Sequence, residues 1–162
     1  MTRTLIIMRH AKSSWGDPTQ ADIDRPLNGR GRASARAIGE WLSFGGFKPD
    51  LVLSSNAKRT AETWANMALS ADIRFLPELY LAPPNVLLRT VQQAEGDCVL
   101  LLAHNPGIAE FAEQIVSDPP RHDRFHDYPT AATLVATFDT PWSEVSWGFG
   151  RARAFTVPRD LI

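Results

Sequence analysis

Leu5-Ile6-Ile7-Met8-Arg9-His10-Ala11-Lys12 places four apolar residues without a break ahead of an arginine, a histidine and a polar loop. An uninterrupted apolar run over residues 4–8 predicts a strand buried on both faces, as in a parallel sheet covered by helices. Arg9-His10 then falls where that strand opens into loop. A guanidinium can grip a phosphoryl group with a bidentate fork while a neighbouring imidazole attacks it, so the pair suits phosphate chemistry.

Working outward, strands and helices alternate without internal repeats or long linkers. Residues 11–27 form a polar loop. Asn28 then offers an N-cap to a helix over residues 29–44, with Ala33, Ala37, Ile38, Trp41 and Leu42 on one face and Gly45-Gly46 as its stop. Residues 51–53 predict a second strand, followed by a helix to about residue 69. Residues 73–76 predict a third strand, residues 85–94 a helix, and residues 98–103 another buried strand, after which Pro106 opens a further helix. Past a proline- and charge-rich loop at 117–129, strands are predicted over residues 131–138, 145–149 and 152–157, including a closing antiparallel pair. This order predicts a single α/β domain over residues 1–162, a three-layer α/β/α sandwich around a mostly parallel mixed sheet.

The composition fits that reading. A chain of 162 residues with 44% hydrophobic content can bury a real core. A net charge of -1 lacks the basic excess expected of general nucleic-acid or acidic-membrane binding. One cysteine, Cys98 in an apolar run, allows no intrachain disulfide and predicts a small buried hydrophobe. A reducing cytoplasm is the expected setting, and no stretch approaches membrane-spanning length.

In such sheets ligands bind beyond the carboxyl ends of the strands. That rule brings three separate sequence positions together. The first strand ends at Arg9-His10, and the second at Ser54-Ser55 with Arg59 in the first turn of the next helix. The strand over 98–103 ends at His104-Asn105-Pro106-Gly107. Two arginines and two histidines therefore emerge at one edge, beside helix N-termini that favour anions. Each taken singly has a bland reading as a loop or surface residue; together they predict one phosphate pocket.

Several segments carry a family resemblance. They are Arg9-His10-Ala11-Lys12-Ser13-Ser14-Trp15, Asp24-Arg25-Pro26-Leu27, Pro49-Asp50-Leu51-Val52-Leu53-Ser54-Ser55, Arg59-Thr60-Ala61-Glu62-Thr63 and His104-Asn105-Pro106. In order and spacing they resemble the histidine phosphatase superfamily, with its phosphoglycerate-mutase-like fold, and are similar to its short SixA-type phosphohistidine phosphatases. Ala11 departs from the glycine usual in the superfamily and marks a subfamily. The resemblance implies a phosphatase in which His10 is the nucleophile of a covalent phosphohistidine intermediate. Attack needs a neutral imidazole whose other N–H is held, and a backbone carbonyl is the expected partner. Arg9, Arg59 and His104 would surround the phosphoryl oxygens. Asn105 would add its backbone N–H and Ser13 a hydroxyl. Glu78, in the segment after the third strand, is the expected general acid by analogy. The cationic pocket would take over the electrostatic role that magnesium has in kinases, so no metal or other cofactor is expected.

The expected substrate is a phosphorylated protein of the histidine-phosphotransfer type. Only a strand, a short loop and a helix separate Arg59 from His104, too little for the lid that mutase chemistry needs. Hydrolysis of small phosphate monoesters and non-catalytic binding of a phosphoprotein are the alternatives. A zinc site at His122 and His126 would need a helix there, and Pro119-Pro120 and Pro129 bracket the segment against one.

Overall fold

The computed structural model describes residues 2–162. Its strands are β1 (Arg3–Arg9), β2 (Leu51–Ser55), β3 (Asp72–Leu76), β4 (Cys98–Ala103), β5 (Thr133–Phe138) and β6 (Arg151–Thr156). Its helices are α1 (Gly29–Phe44), α2 (Lys58–Met67), α3 (Pro84–Gln92) and α4 (Gly107–Ile115). The strands form one sheet in the order β3-β2-β4-β1-β5-β6. β3, β2, β4 and β1 run parallel, while β5 and β6 close the other side antiparallel. The expected α/β/α sandwich is therefore what the chain forms.

The unbroken apolar runs follow from burial on both faces. Leu5 and Ile7 of β1 pack on one side with Leu87, Ile108 and Phe111 of α3 and α4. Ile6 and Met8 pack on the other with Ile38 and Leu42 of α1 and Met67 of α2. Alternation along β4 is the same, Val99 and Leu101 to one side and Leu100 and Leu102 to the other.

Asn28 caps α1 as expected, its side chain accepting from the Gly31 N–H at 2.8 Å. The buried face is rotated from the predicted one: Ser34, Ala35, Ile38 and Leu42 are buried and Ala33 is exposed. Two glycines on that face explain the rotation, since a Cβ on Gly31 or Gly39 would stand 2.0 Å from the carbonyl oxygen of Lys12 or Met67. Close backbone approach, not apolar surface, orients the helix.

The predicted strand at 145–149 does not form. Residues 142–144 make a 3₁₀ turn, and Gly148 has φ +78°, which breaks extended backbone. Val145 is buried, but Trp147 and Phe149 are 36% and 49% exposed. Cys98 is half-buried, and burial pushes its thiol up to about 12. Among the described residues no helix is long and apolar enough to cross a membrane.

Candidate active site

Sheet register decides what meets at the carboxyl edge. Met8 pairs with Leu102, and Leu102 in turn with Ser54; one residue on, Arg9 pairs with Ala103. The residues that follow, His10 after β1 and His104 after β4, leave side by side, with ring centroids 5.2 Å apart. The His10 backbone is clamped as well: its N–H donates to Ala103 O at 3.1 Å, and its carbonyl accepts from the Ala131 N–H at 2.9 Å.

His10 is 6% exposed. Its Nδ1 lies 2.7 Å from the Ala11 carbonyl oxygen. A carbonyl only accepts, so Nδ1 carries the proton and Nε2 keeps the lone pair. Burial, with smaller contributions from His104, Arg9 and Arg59, holds the ring down at about 3 despite the Ala11 bond, which acts in the opposite direction. The imidazole is neutral throughout the physiological range. His104 is likewise held down at about 3 by burial and Arg59. Its Nε2 meets Ser55 Oγ at 2.8 Å, while the buried Nδ1 has no partner among the described residues.

The arginines are fixed by main chain and by one carboxylate. Arg9 Nη1 donates to Tyr128 O at 3.3 Å. Arg59, 3% exposed in the first turn of α2, donates to Asp22 through Nη1 to the carbonyl at 2.7 Å and Nη2 to Oδ2 at 3.0 Å. Arg25 donates to Asp22 Oδ1 at 3.1 Å, to Ser13 Oγ at 2.6 Å and to Ser14 O at 3.2 Å, with its guanidinium 3.6 Å from the centre of the Trp15 ring. A hydrogen bond from the Tyr80 hydroxyl, and those from the two arginines, hold Asp22 well below the usual carboxylate range. Asp22 is thus a fixed anion joining both guanidinium groups.

Each residue of Arg59-Thr60-Ala61-Glu62-Thr63 except the alanine ties α2 to a neighbouring segment, a loop or the end of β2. Thr60 Oγ1 donates to Ser55 O at 2.7 Å, Glu62 Oε1 accepts from the Leu27 N–H at 2.8 Å, and Thr63 Oγ1 accepts from the Ala11 N–H at 3.0 Å. On the opposite rim, Asn105 Nδ2 donates to Tyr128 O at 3.0 Å. Leu81, Tyr128 and Ala131 hold left-handed φ values of 51°, 47° and 62° around the site, a conformation that costs a non-glycine residue roughly 1 kcal/mol. Three such residues at one edge show the loops constrained there by their surroundings.

The side chains enclose a cavity of about 300 Å³. Arg9, His10, Ser13, Arg59, His104 and Asn105 all line it, as the sequence predicts. Glu78 does not: it is exposed on the 3₁₀ turn Pro77–Leu79, and the structure leaves it outside the site. The Asn105 side chain grips a loop carbonyl and leaves Oδ1 buried without a partner among the described residues. Lys12, Trp15, Arg25, Leu81 and Thr130 complete the wall, and no Asp or Glu lines it. Sequence reasoning missed Asp22 and the direct part of Arg25, although Arg25 lay within a quoted motif. Asp22, one of several acids in a polar loop, carried no signal.

His122 and His126 turn to different carboxylates, Asp160 at 2.7 Å and Glu113 at 2.6 Å. Among the described residues no group of three or more His, Cys, Asp or Glu is placed to hold a metal ion. The 117–129 loop contributes to the site instead through the Tyr128 carbonyl, which receives Arg9 and Asn105.

Comparison with known proteins agrees with this arrangement. Residues 5–80 match the family model of the histidine phosphatase superfamily (branch 1). An uncharacterized chloroplastic protein of Arabidopsis thaliana is 42% identical over 89% of this chain and 71% of its own length. A solved structure from Nakamurella multipartitia that carries the name phosphohistidine phosphatase SixA superposes with a TM-score of 0.85 at 27% identity, covering 98% of this chain and 97% of that one. A second structure of that name, from Agrobacterium tumefaciens, gives 0.79 at 30% identity, covering 96% and 98%.

Proposed function

The chain belongs to the histidine phosphatase superfamily, and from that premise we propose that it hydrolyses phosphohistidine on a protein substrate through a phosphohistidine intermediate on His10. The observation that carries the reading is the His10–Ala11 contact, which leaves a neutral ring with its lone pair on Nε2 beside Arg9, Arg59 and His104. In the first step Nε2 forms a bond to phosphorus as the bond from phosphorus to the substrate nitrogen breaks. The departing ring keeps that electron pair and, with a proton on its other nitrogen, leaves as neutral imidazole. Water then attacks the phosphorus, the P–Nε2 bond breaks, and the proton released goes to solvent. The guanidinium groups offset charge on the phosphoryl oxygens throughout.

The missing carboxylate supports the choice of substrate. Expelling an alkoxide demands an acid, whereas the conjugate acid of imidazole has a pKa of only about 6.5. No carboxyl group lines the cavity, and Asp22, which pairs with Arg59 of its wall, is ionised and committed to two arginines. An open mouth supports a protein-borne phosphate, since exposed Trp15 and Leu81 flank the cavity in place of a lid.

Acid–base quench trapping with a labelled phosphoramidate donor tests the reading. An acid-labile, alkali-stable phosphoprotein is expected with the wild type and not with His10→Ala. Turnover of phosphohistidine peptides should exceed that of alkyl phosphate esters by orders of magnitude. Trapping nothing on His10, or faster hydrolysis of the esters, would overturn it.

A further inference from the structure

A second cavity, of about 540 Å³, adjoins the catalytic one and shares Lys12 and Thr130 with it. It is bounded by Arg30 at the start of α1, Arg124 in the 117–129 loop and Arg159 in the 3₁₀ turn after β6. Lys12, Arg30 and Arg159 are exposed and have no ion-pair partner among the described residues; Arg124 pairs with Asp127 at 2.9 Å. Across the two cavities the lining includes seven of the chain's 17 lysines and arginines and none of its 18 acidic side chains. In a protein of net charge -1 that segregation is local, not a reflection of general basicity. Asp123 and Asp160 appear only beyond it, in the depression that continues past Arg124 and Arg159.

We infer that this groove is a docking site for acidic side chains of the substrate phosphoprotein, held by Arg30, Arg124 and Arg159 while the phosphoryl group occupies the catalytic cavity. The inference rests on the phosphoprotein reading above and adds a sequence preference to it. Charge complementarity identifies the occupant. A phosphoryl dianion already has Arg9 and Arg59 beside His10, so Arg30 and Arg159, which have no ion-pair partner among the described residues, are available to a separate anion on the same molecule, with Arg124 beside them. Their spread over three chain segments suits several carboxylates on a protein surface. Exposed pairs of this kind act chiefly on encounter and are screened by salt.

The test uses two phosphohistidine peptides of equal length, one with Asp and Glu on both sides of the phosphohistidine and one with Asn and Gln. Wild-type kcat/KM should favour the acidic peptide by about tenfold at low salt, falling to about twofold at 0.5 M NaCl. The double variant Arg30→Gln/Arg159→Gln should lose most of that preference and keep wild-type turnover of phosphoimidazole, which has nothing to place in the groove. Binding of both peptides to His10→Ala separates docking from chemistry. Equal affinities there, or a preference that survives the double variant, would overturn the groove. Tighter binding of the acidic peptide without wild-type turnover of either would uphold the groove and overturn the phosphatase reading.

Discussion

Ala11 and Thr63 are joined by a buried hydrogen bond of 3.0 Å across 52 residues of sequence, from the loop that bears the candidate nucleophile to the helix that bears Arg59. Thr63 Oγ1 donates in turn to Arg59 O at 2.6 Å. One hydroxyl therefore links the backbone after the imidazole to the backbone of the residue that bears the guanidinium. Thr63→Val keeps the shape and strands the Ala11 N–H, which should cost about 1–3 kcal/mol in denaturant unfolding. A fall of about tenfold in kcat is expected with it, because small misplacements of reacting groups are costly. Thr63→Ser should restore both; a purely steric role would leave the serine variant as poor as the valine.

Acid should destabilise the protein in a defined window. His10 and His104, held down at about 3, bind fewer protons folded than unfolded between that value and about 6.5. Stability then rises with pH across that window and levels off above it. Between pH 7 and pH 5 the two rings together should cost about 2–4 kcal/mol. Urea titrations in buffers free of phosphate check this, and the slope should be roughly halved in His104→Asn. The same depression predicts that kcat/KM, corrected for ionisation of the substrate, shows no acid limb near 6.5.

Trp15 lies 78% exposed, with the Arg25 guanidinium against one face of its ring. Trp15→Ala should change stability by no more than about 1 kcal/mol, the scale of an exposed cation–π contact. KM for a phosphohistidine protein should rise several-fold while kcat on phosphoimidazole holds. Equal losses on both would assign Trp15 to supporting Arg25 rather than to contact with substrate.

Gly31 admits no side chain, since its Cβ would meet the Lys12 carbonyl oxygen at 2.0 Å, and that atom also accepts from the Asn28 N–H at 3.1 Å. Both contacts are backbone, so nothing flexible can yield. Gly31→Ala should lower stability by about 2–3 kcal/mol and depress activity through the displaced loop. Gly46→Ala, with open space around it, should show only the strain of its φ of +78° and wild-type kinetics.

The parts legible in the sequence were those with strong local signals. β1 and β4 announced themselves because burial on both faces leaves no polar residue in the run, and Asn28 marked the start of α1. The placement of Arg9, His10, Arg59 and His104 in one cavity followed from where those strands end. The segment at 145–149 misled because its apolar residues suit a strand, while Gly148 and the preceding turn set its shape. Asp22 could not be read, since its role arises only when the polar loop folds back over α2 and meets Arg59, 37 residues away. Glu78 was expected by analogy of segment, and the 3₁₀ turn Pro77–Leu79 leaves its side chain exposed and out of the cavity lining.

Asp22 also bears on how the site would let go of what it binds. Its carboxylate is tethered to Arg59 and Arg25, so an arriving phosphoryl group meets a competitor that never dilutes. Affinity for inorganic phosphate is expected to be correspondingly weaker, and a departing product leaves Arg59 and Arg25 already paired. On the phosphatase reading the loop anion would work as a built-in displacer, trading tightness for release so that inorganic phosphate does not occupy the site.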